Sequence, residues 1–498
     1  MSKLLANLSE LTAGAVQEFR KAVANPMPVS DLEKAGITQA TGLTWYDLQA
    51  PAQQLFPVIT PLRNKIPRVA GQGGTATHWK AVTGINTASL RGFVPEGKRN
   101  GAVTTTVVDK SATYKSAGLE DTVTFEAELA GLNFEDIRAR TAQRLLWALM
   151  IEEELNILGA DNGVALGTPT APTVVVVDGG GTVLDDTYDT RVVALTLHGY
   201  LASSVAGGLA GLVSVTAVDG DTFTYGGGSS QKSANGTTGV IANGDDSSIR
   251  LSTPVIAGAV AYAWFVGPNG GDVVLQAITM INSVELASLG TGTQNVTAIT
   301  ADNSQNTLAF DGILYQAWTS GSNAYIVNQA TGTPGVGTPL TADTVGGITE
   351  INTLFKSLWD NYRLSPTTIY ANAQEVDNIT KKVLGATAVT MPFLAGTDVD
   401  GGIRVKALLN RFAMGASPMV PLELHPYVPA GLLLAATERL PYPVTSIPNV
   451  MEMKLRRDYY QMEWPLRRRQ YETGVYFDGV LAHYFPPSVG IIANIGNG

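Results

Sequence analysis

The chain has 498 residues, no cysteine, a formal net charge of −10, and only 15% charged against 45% hydrophobic residues, with 53 glycines. That length exceeds one ordinary core, so two or three buried interiors are expected, and low charge with abundant glycine favours strands and turns. The missing cysteines exclude disulfides, thiolate metal sites and a cysteine nucleophile and are compatible with a reducing compartment, while the acidic balance argues against wrapping nucleic acid by general electrostatics.

The first stretch, MSKLLANLSELTAGAVQEFRKAV, has apolar residues at helical spacing, but Glu10, Glu18, Arg20 and Lys21 interrupt it, so it is not read as a secretory signal. No apolar run reaches the roughly 18 residues that a membrane span needs, so no membrane association is expected. Residues 1–70 read as a proline-punctuated arm, in which Pro26, Pro28, Pro51, Pro57, Pro61 and Pro67 prevent long regular elements. Its Leu55, Phe56, Val58, Ile59 and Leu62 must lie against a surface, on their own domain or on a neighbouring copy. The arm starts early, so no long cleavable scaffold segment is expected ahead of it.

Residues 71–126 read as a long hairpin: ATHWKAVTGIN and AVTTTVVDKSATYKS have strand composition, and GFVPEGKRNG between them ends in the turn pair Asn100-Gly101. Lys98 and Arg99 stand at its tip. Two strands of this length are hardly stable alone in water, so another surface should support them.

Within a segment spanning 127–168, NFEDIRARTAQRLLWALMIEEELNILG (133–159) predicts one long helix of about 40 Å at ~1.5 Å per residue. Asn133 with Asp136 suits its amino cap, Glu135 and Asp136 suit the positive end of its dipole, and Gly159 is expected to end it in a left-handed conformation. Phe134, Ile137, Thr141, Leu145, Ala148, Leu155 and Leu158 form one apolar stripe. Glu152, Glu153 and Glu154 sit where the dipole disfavours anions and have no basic residue three or four positions away. Their partners must be distant in sequence.

Residues 169–305 change character. Up to residue 300 this block holds three basic residues (Arg191, Lys232, Arg250) against ten acidic ones, which accounts for most of the net charge. Strand-like TVVVVD, TRVVALTLHGYL, LVSVTAVDGDTFTYG and AVAYAWFVG, separated by turns, predict an inserted β-sandwich of immunoglobulin-like size. Mixed structure returns over 306–425: NTLAFDGILYQA and NAYIVNQA as strands, VGGITEINTLFKSLWDNYR as a helix, SPTTIYAN as a strand, and AQEVDNITKKVLG as a helix ending at Gly385. The tail of that segment and residues 426–498 carry extended apolar pieces, KALLNRF, LELHPYV, GLLLAAT and YETGVYFDGVLAHYFPPSVGIIANI, expected to form the sheet under the long helix.

His78, His198, His425 and His483 lie in different segments without metal-ligand spacing, and no GxSxG, Walker or GxGxxG pattern opens a helix after a strand. Gly226-Gly227-Gly228 reads as a flexible turn, and the acidic patterns at Asp185-Asp186, Asp219-Gly220-Asp221 and Asp398-Val399-Asp400 read as turns before calcium loops. Neither an enzyme nor a cofactor is expected. The strongest charge feature is the basic cluster Lys454, Arg456, Arg457, Arg467, Arg468 and Arg469; it could meet nucleic acid, or pair with Glu152, Glu153 and Glu154 on the same or an adjacent chain, the reading preferred here.

The order of parts resembles the major capsid proteins of tailed bacteriophages with the Hong Kong 97-type fold, over residues 1–168 and 306–498. The local matches are AQQLFPVITPLRNKIPRV, SPTTIYANAQEVDNITKKVLG and RRRQYETGVYFDGVLAHYFPPSVG. The resemblance implies an α+β fold with an amino-terminal arm, an extended loop (the hairpin), a spine helix in a peripheral domain, and an axial domain, plus the sandwich as an outward-facing insertion. It further implies a virion protein that assembles with copies of itself into pentamers and hexamers, alongside portal, scaffold or decoration proteins, and encloses DNA without sequence-specific contact. In one branch of that family a loop lysine is crosslinked to a neighbour's asparagine; Lys98, Lys110 and Lys115 lie in the matching hairpin, but no acceptor aligns and no crosslink is expected. A virion surface or tail-associated binding protein and a bacterial nanocompartment shell are the alternatives.

Overall fold

The computed structural model of the chain describes residues 56–71, 73–86, 93–131, 135–343, 345–385, 404–413, 418–442 and 447–497. Asn133, Phe134, the acidic pattern at 398–402 and the arm before residue 56 fall outside the described residues.

Pro61, tolerated in a first helical turn, opens the short helix α1 (Pro61–Lys65). Strands β1 (Arg68–Ala70), β2 (Ala76–Asn86), β3 (Thr104–Thr113) and β4 (Lys115–Thr124) follow. β2 and β3 pair as the expected antiparallel hairpin, from Ala76 opposite Thr113 to Asn86 opposite Thr104. The hairpin is shorter than the 71–126 expected: at the buried Tyr114 the chain enters the core, and β4 leaves to join another sheet.

After α2 (Phe125–Ala130) comes the long helix α3 (Ile137–Gly159). Asp136 caps it, its carboxylate accepting the N–H groups of Arg138 and Ala139. The expected left-handed stop at Gly159 is corrected: this glycine is the last helical residue, and Ala160 follows at φ −70°. Space explains it, because a Cβ at 159 would stand 2.4 Å from Leu197 Cδ2. The single apolar stripe holds for the first half only, through Thr141, Leu145 and Leu149; from Ile151 to Gly159 the helix is buried nearly all round.

The acidic block comprises β5 (Thr173–Val177), β6 (Thr187–Leu195), α4 (Leu197–Ala202), β7 (Leu212–Thr216), β8 (Thr222–Gly226), β9 (Gly236–Val240), β10 (Ser248–Ser252), β11 (Ala261–Pro268), β12 (Val274–Thr279) and β13 (Ser283–Leu286). The strand expected over 190–201 breaks at Thr196, whose hydroxyl accepts the Gly199 N–H and starts α4. Sheets β13-β10-β5 and β12-β11-β6-β9 share a core of Val192, Tyr262, Trp264, Ile249, Leu251 and Val284, so the block is a two-layer sandwich. Its strand order is not the immunoglobulin one, in which the first strand joins the second and fifth in one sheet. The reason lies in AYAWFVG: apolar at successive positions, β11 is buried on both faces, the second under Leu209, Val296 and Ile299. The Gly226-Gly227-Gly228 segment is likewise no flexible turn; a Cβ on Gly199 would meet the Gly228 carbonyl oxygen at 2.2 Å. The sandwich is seated on the main body through Leu197 and Val260 in the principal core and through paired amides of Asn282 and Asn494.

The remainder forms α5 (Ile313–Trp318), β14 (Tyr325–Asn328), α6 (Thr349–Tyr362), β15 (Thr368–Ala371), α7 (Ala373–Gly385), β16 (Ala407–Leu409), β17 (Met419–Leu424), β18 (Leu433–Ala436), β19 (Met451–Glu463), β20 (Gln470–His483) and β21 (Val489–Ala493). The strand expected in NTLAFDGILYQA is instead helix α5, because a short apolar run buried on every side shows no helical period. A mixed six-stranded sheet runs β14-β21-β18-β15-β17-β16. Tyr370, Leu434 and Ile491 on one face join the core around α3, while Ile369, Leu433 and Ile492 on the other meet α6 and α7. The second sheet, β1-β19-β20-β4, lies under α3, as expected of the carboxyl-terminal strands, with Leu145 and Leu149 sharing a core with Val475 and Phe477.

Candidate assembly surfaces and the anchored arm

The β2–β3 hairpin is a two-stranded sheet with both outer edges unpaired among the described residues. Every residue from Thr104 to Ser111 is exposed, and so are Val82, Val94, Val103, Val107 and Val108; Phe93, beside the tip, is 94% exposed. Lys98 and Arg99 sit in the exposed tip turn, where the Lys98 N–H donates to the Pro95 carbonyl, and neither pairs with an acid among the described residues. A mostly polar ribbon that exposes one phenylalanine and five valines and has open edges is a surface that another chain can cover. Of the lysines noted for crosslinking, Lys115 donates to the Thr307 carbonyl at 2.6 Å, while Lys110 is exposed on β3.

Beneath the hairpin's root the arm is bolted to α3. Glu154 accepts the backbone N–H groups of Leu62 and Arg63, at 2.9 and 2.7 Å, and its Oε1 lies 2.7 Å from His425 Nε2. The carboxylate thus satisfies the open amino end of α1. Glu153, with 0% side-chain exposure, pairs with Arg63 Nε at 3.0 Å and with Arg68 Nη1, and accepts the Tyr459 hydroxyl. Arg68 also reaches Asp458 at 2.5 Å and lies 4.7 Å from the Tyr459 ring centroid. Burial pulls the Arg68 pKa down, but Asp458 and Glu153 override it and hold the guanidinium charged. Burial, then Glu153, pushes the Tyr459 hydroxyl up, so it stays a donor.

The partners of the glutamates are therefore Arg63, Arg68 and His425, and the expectation that they meet the arginines of 454–469 within the chain is corrected. Those arginines have their own partners: Lys454 pairs with Glu452, Arg456 with Asp478 and Arg469 with Glu126, and Arg457 stacks 4.2 Å from the Tyr460 ring centroid. The antiparallel β19–β20 pairing explains this, since it sets Arg456 beside Asp478 on the adjacent strand. Arg467 and Arg468 lie in the exposed turn between these strands and meet no acid among the described residues. Glu152 faces away from the arm, towards a cavity beside His198. The missed arginines had one signal, the basic spacing Arg63, Lys65, Arg68 in a stretch, 48–70, that holds no acid.

The other residues noted in the sequence are dispersed. His78 is exposed on β2, and His483 lies buried 3.1 Å from Ser488 Oγ. The Asp185 carboxylate accepts N–H groups of Asn243 and Gly244, which lower its pKa, and Asp219 accepts the Asp221 N–H in the β7–β8 turn. Both are turn-stabilising arrangements.

No protein-family profile matches the chain, and no curated protein sequence matches it. Among solved structures it is similar to the capsid of an empty GTA particle, at 9% identity and TM-score 0.41, covering 92% of this chain and 98% of that one. The capsid of Myoviridae phage XM1 gives 11% identity and TM-score 0.39, covering 92% and 98%. An encapsulin complex from Synechococcus elongatus gives 9% and 0.38, covering 92% and 95%.

Proposed function

We propose that the chain is a structural shell subunit, the major capsid protein of a tailed bacteriophage, many copies of which close into an icosahedral capsid around DNA. The observation that carries this is the hairpin: a long two-stranded ribbon that exposes Val82, Val107, Val108 and, near its tip, Phe93, and whose outer edges no described residue pairs. A ribbon of this kind gains stability only by lying on a neighbour. In the Hong Kong 97-type arrangement it is the extended loop, α3 the spine of the peripheral domain, and the six-stranded sheet with α6 and α7 the axial domain that closes five- and six-membered rings. The sandwich, where most of the net negative charge lies, is the outward-facing insertion. Arg467 and Arg468 are free for acids of an adjacent subunit. Portal, scaffold or decoration proteins would be further partners, the shell would be assembled in the host cytoplasm, and no step needs a catalytic residue.

Size-exclusion chromatography and negative-stain microscopy of the expressed chain test the reading. Hollow megadalton particles or five- and six-membered rings are expected; a protein that stays monomeric at every concentration would sink it. Shells that load protein and exclude DNA would transfer the chain to the nanocompartment class.

A further inference from the structure

The sequence holds six Asn-Gly pairs, five of them among the described residues. Such a pair carries its own reaction. The backbone nitrogen that follows an asparagine can attack the side-chain amide carbon, and glycine, with no Cβ, neither crowds that approach nor restricts the dihedrals it needs. The five pairs differ in where the fold sends the reacting groups.

Four of them are tethered. The Gly163 N–H donates to Asp311 Oδ1 at 2.9 Å, the Gly244 N–H to Asp185 Oδ2 at 3.1 Å, and the Gly270 N–H to Asp189 Oδ2 at 3.3 Å. At the fourth, the Asn235 side-chain amide donates to Asp189 Oδ1 at 2.7 Å, and Gly236 lies in β9 opposite Thr190. In each, ring closure would first break a hydrogen bond to a carboxylate.

Asn100-Gly101 is the exception. It lies at the tip of the β2–β3 hairpin, ahead of the first residue of β3 at Thr104, in a stretch where every residue from Phe93 to Lys110 is exposed. The Gly101 N–H donates to the Oδ1 of Asn100 itself, at 2.8 Å. Oδ1 and the amide carbon are one bond apart, so the turn holds the nucleophile beside the atom it attacks, in a place that water reaches freely.

We propose that Asn100-Gly101 is a self-modification site. The Gly101 nitrogen gives its proton to hydroxide and bonds to Asn100 Cγ, the Cγ–Nδ2 bond breaks, and the amide leaves as ammonia after taking a proton from water. A cyclic succinimide results. Water then adds to one of the two ring carbonyls and opens it, leaving an aspartyl or an isoaspartyl residue at position 100. Either product sets a carboxylate beside Lys98 and Arg99, and the isoaspartyl form also lengthens the backbone of the tip by one carbon. The inference is independent of the shell reading.

The test is peptide mapping by mass spectrometry of the folded, full-length protein kept in mildly alkaline buffer made with oxygen-labelled water. Conversion at position 100 is expected, with one labelled oxygen in the product and the aspartyl and isoaspartyl forms resolved, at a rate about tenfold or more above that of each tethered pair. In urea the tethers are gone, and the five rates should draw together. Gly101→Val, at an exposed position, should fold and slow the conversion about tenfold by crowding ring closure. Asn100→Gln, whose longer side chain cannot close the same ring, should abolish it. The proposal is overturned by no conversion at Asn100, by a rate no higher than at the tethered pairs, by a preference that persists in urea, by a product without the label, or by a Gly101→Val chain that converts as the wild type does.

Discussion

Glu153 is a charge without solvent, neutralised by Arg63 and Arg68, both only partly buried. Removing one member of such a group strands the others, so Glu153→Gln should cost about 3 kcal/mol in urea unfolding. Arg469→Ala breaks only the exposed pair with Glu126 and should stay within about 0.5 kcal/mol of wild type. A second residue-scale outcome concerns acid. Burial holds His483 down to about 4, so as pH falls the unfolded chain takes up that proton first. Its contribution is complete above about 6.5 and falls by about 3 kcal/mol by pH 4. Asp161, raised to about 7, works in the opposite sense over the same range and masks it. Relative to wild type, His483→Gln should therefore gain about 3 kcal/mol between pH 7 and pH 4, read from urea midpoints at each pH. At this scale the sequence showed that the glutamates lacked local partners, but not which residues would meet them. Arg63 and Arg68 are near neighbours of Glu153 only after the arm has folded back, and one-dimensional spacing does not encode that return.

The elements were legible where periodicity is one-sided and obscure where burial is complete. Helices α6 and α7 each present one apolar face and appear where expected, and the hairpin strands were legible from their β-branched composition, though the hairpin is shorter than expected. Helix α5 is enclosed on every side, so its sequence loses the period that marks a helix, whereas the end of α3, equally enclosed, was read as helix but with one apolar stripe where it is buried nearly all round. Gly159 was misread for the same reason: its small size serves a neighbour, not a turn. Gly159→Ala would gain about 1 kcal/mol of helix propensity but drive a methyl group into Leu197, an overpacking cost of about 1–3 kcal/mol. A net loss of melting temperature is expected, and Leu197→Ala in the same chain should recover part of it, a non-additivity that a double-mutant cycle measures.

For the whole molecule, the proposed assembly makes the hairpin's exposed surface the part to test. Phe93→Ser with Val107→Ser should leave the monomer's unfolding midpoint nearly unchanged, because both side chains are exposed, while abolishing particles in negative stain. Among the described residues the hairpin, long helix and mixed sheet stand in the chain where strands and helices were read from the sequence. The sandwich was legible as two layers of strands but not in its strand order, because pairing between distant strands leaves no mark on the composition of either. The sheet beneath α3 has a temporal consequence. Its outer strands, β1 and β4, emerge early from the ribosome, whereas β19 and β20, which lie between them, emerge among the last segments. The sandwich, whose strands all lie between Thr173 and Leu286, has its own pairings complete much earlier. A nascent chain can thus carry a finished insertion while the platform for its hairpin is still unmade. A prematurely terminated chain would lack β19 and β20, and so the middle of the sheet beneath α3, altogether.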